Sequence, residues 1–151
     1  MNLAGSAALA DEPLSIQLGQ GSGGQTSASV GDWVNISVSG GESNSYYWSA
    51  FDAATGQPLG MFCPGSSWDP WNCVSSGLGV PSGTFIDLQA GSVVISVSDG
   101  YQVAYANLDV QHRALSLNVD PSTMSYSSAV SSPFNYSFSG DPGATYTLIL
   151  T

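Results

Sequence analysis

Lysine is absent from this sequence, and one arginine and one histidine are its whole cationic complement. Against them stand 11 acidic residues, giving a formal net charge of −10 in a 151-residue chain that is only 8% charged. Nucleic-acid binding needs several Lys or Arg to neutralise phosphates, so that partner class is excluded. The same shortage disfavours a basic amphipathic helix lying on an anionic membrane. No apolar run reaches the roughly 18–20 residues that cross a bilayer as a helix, so no membrane insertion is expected. Cysteine is scarce as well: Cys63 and Cys73 have no His/Cys cluster beside them to complete a zinc site. Long helices are ruled out by punctuation, with 18 Gly and 8 Pro spread along the chain.

What the sequence does have is serine, 27 residues of it, with 42% apolar and 11% aromatic residues, enough for a core. Period-two alternation then predicts strands. Leu14, Ile16 and Leu18 mark a first one. Val34, Ile36 and Val38 mark the next, closed by Gly40-Gly41. Tyr46, Trp48 and Ala50 share a face that ends at Asp52 and a Thr55-Gly56 turn. Residues 84–88 are expected to put Ile86 and Leu88 on one side of a strand. Val93, Ile95 and Val97 precede Asp99-Gly100, a two-residue hairpin signal, and Ala104, Ala106, Leu108 and Val110 line the returning strand. The prediction is an all-β, antiparallel sandwich with hydrophobic residues inward and polar ones outward.

The chain also repeats itself. Residues 33–51 lie over 133–151 without a gap, matching Asn35, Ser37, Ser39, Gly40 and Tyr46 to Asn135, Ser137, Ser139, Gly140 and Tyr146. The inward positions correspond too, Val34, Ile36, Val38 and Trp48 falling on Phe134, Tyr136, Phe138 and Leu148. Upstream, Leu14-Ser15-Ile16 meets Leu115-Ser116-Leu117 with a shift of one residue. A spacing near 100 residues suits tandem β-sandwich domains.

Gly31-Asp32-Trp33-Val34 entering a strand, Tyr47-Trp48 on the next, and the run from Ala90 to Gly100 carry a family resemblance. Together they resemble the bacterial immunoglobulin-like and PKD-type surface domains. The resemblance implies an immunoglobulin-like sandwich over 13–111, without the Cys…Trp…Cys spacing of antibody domains and with a Cys63–Cys73 insertion. A leader or signal-peptide remnant, ending in Ala8-Leu9-Ala10, is expected over 1–12. Gln111-His112-Arg113 reads as a short linker to a partial second repeat over 114–151.

That second repeat contains only the opening strands, so Phe134, Tyr136, Phe138, Tyr146, Leu148 and Leu150 are expected to form an exposed assembly face. Covering six such side chains is worth on the order of 9–18 kcal/mol. Three covers are conceivable: further chain of a longer tandem protein, another subunit adding strands, or the first domain's own sheets.

Little in the sequence points to catalysis. His112 lies beside Arg113 in the expected linker, and no GxSxG elbow is present. The acids fall mostly at strand ends, where turn formation explains Asp32, Asp52, Asp99, Asp120 and Asp141. Asp109 and Asp120 near the linker are the candidates for a Ca²⁺ site, although no DxDxDG loop accompanies them. No cofactor is expected otherwise. A Cys63–Cys73 disulfide would close a loop holding Trp68, Asp69, Pro70 and Trp71. The two tryptophans could cap the sandwich, enter a partner's pocket or stack on sugar rings. The low charge, the serine content and the expected disulfide favour an extracellular, cell-surface or virion location. The expected function is a non-enzymatic structural or adhesive module of a tandem-repeat surface protein, filament or virion. Its partners would be copies of itself or further domains of the same protein. The alternative is a carbohydrate-binding module using the Trp loop.

Overall fold

The computed structural model describes residues 12–19, 24–65, 72–120 and 135–149. Among the described residues there is no helix, and the strands are β1 (Ser15–Leu18), β2 (Ser27–Ser29), β3 (Trp33–Ser39), β4 (Tyr47–Asp52), β5 (Met61–Pro64), β6 (Ser82–Ile86), β7 (Gly91–Ser98), β8 (Val103–Gln111), β9 (Ser116–Asp120) and β10 (Asn135–Ser139). They form a sheet ordered β1-β3-β6-β5, a second ordered β2-β8-β7-β4, and a separate β9-β10 pair.

The two larger sheets make the all-β sandwich that the alternation predicts. Their strand order is that of an immunoglobulin constant-type domain, four strands against three, with β2 added at the edge of the second sheet. That addition departs from the all-antiparallel expectation, because β2 runs parallel to β8, with Ala28 opposite Val110. Val34, Ile36, Phe62 and Phe85 face Trp48, Val93, Ile95, Val97, Leu108 and Val110 in one buried cluster. Phe62 sits at its centre, with ring centroids 6.1 Å from Trp48 and 5.2 Å from Phe85. The Trp48 indole N–H is kept satisfied by Val80 O at 2.9 Å.

Two local expectations are corrected. Inward from β6 points Phe85, fully buried opposite Val34, while Leu88 is 56% exposed beyond the strand. Ile86 is buried on the other face. There the Cys63–Cys73 disulfide lies against the sheet and Thr84 Oγ1 donates to Gly65 O at 2.7 Å. The β7–β8 turn is centred on Gly100-Tyr101, one residue later than the Asp99-Gly100 signal suggests. The Asp99 side chain explains the offset, since Oδ1 accepts the N–H groups of Tyr101 and Gln102 at 2.9 and 2.7 Å and Gly100 takes the positive φ.

Candidate functional site

Two strand pairs, one in the first sheet and one in the tail, share a register. In the first sheet Ser15, Ile16, Gln17 and Leu18 lie opposite Ser39, Val38, Ser37 and Ile36. In the tail Ser116, Leu117, Asn118 and Val119 lie opposite Ser139, Phe138, Ser137 and Tyr136. Position for position, the β9–β10 pair repeats the β1–β3 pair. Even the serine clasp recurs: Ser15 Oγ meets Ser39 Oγ at 2.8 Å, and Ser116 Oγ meets Ser139 Oγ at 2.7 Å. A one-residue slip would have turned every side chain to the opposite face, so the agreement is specific.

Burial is where the two pairs differ. Leu14, Leu18 and Ile36 are buried in the first pair, whereas Leu115, Leu117, Tyr136 and Phe138 are 66, 53, 52 and 51% exposed. Leu148, the counterpart of fully buried Trp48, is 41% exposed. Tyr146 folds back over Phe138, edge-on at 5.0 Å, and its hydroxyl donates to Asp141 O at 3.1 Å. These residues line a shallow groove of about 360 Å³. Of the six expected face residues, Tyr136, Phe138, Tyr146 and Leu148 are thus brought together, while Phe134 and Leu150 lie outside the described residues. Leu115, Leu117 and Val119 complete the face from the opposite strand.

The segment read as a short linker is exposed, His112 by 76%, and it also carries polar contacts. Arg113 donates from Nε to Val30 O at 2.8 Å and from Nη2 to Asp32 Oδ1 at 2.6 Å. Its backbone N–H donates to Asp141 Oδ1 at 2.6 Å, and His112 Nδ1 is hydrogen-bonded to Asp141 Oδ2. Asp32 is itself held in place, its Oδ2 accepting from Ser29 N at 2.8 Å. Pro142 packs over Gly31, where a Cβ would lie 2.4 Å from the proline ring. The only arginine and the only histidine of the chain therefore both act between β8 and β9. Sequence reading missed this cluster, although two adjacent cationic residues in a chain with no others were a usable signal.

The Arg113–Asp32 pair is about two-fifths exposed on each side, so it adds little to global stability. Its effect is geometric. Arg113→Ala is expected to leave the melting temperature nearly unchanged while broadening the small-angle scattering envelope of the whole chain. The Asp141 carboxyl is held below the ordinary Asp value, first by the Arg113 N–H and then by the His112 bond. A depressed pKa means that its contribution is present above the unfolded value and lost only as pH falls through the folded one. Scattering curves near pH 7 and near pH 5 should therefore superimpose, whereas Asp141→Asn should open the joint at both.

Asp52 and Asp99 serve turns. Asp52 Oδ1 accepts Ala54 and Thr55 N–H groups at 2.8 and 2.7 Å, which lowers its pKa, and the backbone bonds to Asp99 do the same there. Asp87 is the exception: burial raises its pKa, and Oδ2 has no hydrogen-bond partner. Of the Ca²⁺ candidates, Asp109 Oδ2 accepts from Gln111 Nε2 at 3.1 Å, and the Asp120 side chain lies outside the described set. Among the described residues no group of three His, Cys, Asp or Glu side chains is arranged to hold a metal. Trp68, Asp69 and Trp71 also lie outside the described residues. The base of their loop is fixed by the Cys63–Cys73 disulfide, with Cα atoms 4.2 Å apart, and by the paired N–H and C=O groups of Phe62 and Val74. No protein-family model matches the chain, and no curated protein matches it in sequence.

Proposed function

We propose that this chain is a non-enzymatic structural module of an extracellular tandem-repeat surface protein, filament or virion, built from immunoglobulin-like repeats. Its work is to hold neighbouring repeats at a set orientation, to carry tension along the chain and to join neighbours through strand and apolar contacts. The observation that carries this reading is the β9–β10 pair, which repeats the register and the serine clasp of β1–β3 and is tied to the first repeat by the Arg113 joint. The disulfide supports the extracellular setting. Tension is supported by the parallel β2–β8 pairing. Pulling the two ends of the first repeat apart loads those bonds together in shear rather than one at a time, including Asp109 N–H to Thr26 O and Val30 N–H to Gln111 O, both at 2.9 Å.

Single-molecule extension of the chain tests the reading. The first repeat should give one sharp unfolding peak, markedly weakened by Ala28→Pro, which blocks β2 pairing. Smooth extension of the wild-type chain without such a peak would overturn it.

A further inference from the structure

Asp87 directly follows β6 and begins the turn that carries the chain across to β7. It is 4% exposed. Its Oδ1 accepts the Gln89 N–H at 3.0 Å, while Oδ2 is closed off from solvent and has no hydrogen-bond partner. The backbone is fixed as well, because Gly31 N–H donates to Asp87 O at 2.7 Å. A carboxylate oxygen buried in this way costs free energy as an anion, and the cost disappears when the carboxyl takes up a proton. We infer that Asp87 is a proton-binding switch that makes the first repeat more stable in mildly acidic solution than at neutral pH. The inference concerns the first repeat alone and does not depend on the structural role proposed above.

The charged groups around Asp87 give the anion no partner. Asp52, at the end of β4, brings a second negative charge. On the side of the Gly31 bond, Asp32 is paired with Arg113 at 2.6 Å, and Arg113 Nε is engaged by Val30 O. Across a groove of about 440 Å³ lined by Leu88, Gln89 and Ala90, His112 is hydrogen-bonded to Asp141. Strands β3, β5 and β7 contribute no ionisable side chain. Lysine is absent from the chain, so among the described residues no cation is left to neutralise Asp87. Burial pushes the carboxyl above the ordinary Asp value, the Gln89 and Leu88 N–H groups offset part of that, and Asp52 adds to the rise. With a raised value the native state holds the proton more tightly than the unfolded chain. Stability therefore falls as pH rises from the ordinary Asp value through the folded one. Asp52, Asp99 and Asp141 are lowered instead, so their contributions persist until the pH drops below the ordinary Asp value. The two trends leave the repeat most stable just above that value.

Urea denaturation of the full chain near pH 7 and near pH 5 tests this, and the wild-type midpoint should be higher near pH 5. Asp87→Asn keeps an oxygen for the Gln89 N–H and carries no charge, so it should abolish the difference. A general easing of repulsion among the acids would persist in that variant, which makes the loss specific to Asp87. Asp52→Asn keeps the acceptor for Ala54 and Thr55 and should shrink the difference in part. Carbon-13 NMR of the wild-type chain gives a readout that needs no variant to fold: the Asp87 carboxyl should titrate above the ordinary Asp range. A wild-type midpoint that is equal or lower near pH 5 would overturn the inference. So would an Asp87→Asn chain that keeps the wild-type difference, or an Asp87 carboxyl that titrates at or below the ordinary value.

Discussion

Trp48→Ala is expected to cost about 3–5 kcal/mol, a large part of the stability of a domain this size, and to bring its unfolding close to room-temperature conditions. Trp48 is wholly buried, packs on Phe62, and its indole N–H occupies Val80 O. Truncation opens a cavity between the sheets and removes the donor from a carbonyl of the 77–80 loop, whose Gly77 N–H also bonds Trp48 O at 2.8 Å. Trp48→Phe keeps most of the volume and loses only the hydrogen bond, so it should cost about 1–2 kcal/mol. Urea denaturation followed by circular dichroism separates the two. Equal midpoints for Trp48→Ala and wild type would mean that the sandwich does not close on this residue.

Cys63→Ala with Cys73→Ala should cost about 2–3 kcal/mol by the loop-entropy argument for cysteines 10 apart. Cys63 is buried opposite Thr84 of β6, whose hydroxyl donates to Gly65 O, so the bridge has a local effect on that strand. The loss should therefore appear as faster amide exchange at 82–86 before the rest of the domain is affected. Reduction of the wild-type protein should reproduce it, and an unchanged denaturation midpoint after complete reduction would show that the bridge contributes nothing.

Where strands are half-buried, the sequence declared them. Val93, Ile95 and Val97 are buried and alternate with Val94 and Ser96 on the other face, and Leu108 and Val110 on β8 alternate with exposed residues. In the tail Leu117 lies opposite Phe138, a pairing the alternation permits without specifying. Alternation fails as a guide where both faces are covered. Residues 83–87 are buried throughout, so Ile86 competes with Phe85 for the inward position and the pattern gives no preference. β2 is Ser-Ala-Ser and holds its place through backbone bonds, which leave no hydrophobic trace. Arg113 reaches residues 81 and 83 positions away, a distance over which no local pattern carries information.

Four residues separate β8 from β9, and one of them, Arg113, bonds both to Val30 and Asp32 and to Asp141. The connection can therefore swivel only after the guanidinium releases the Val30 carbonyl and the Asp32 carboxylate.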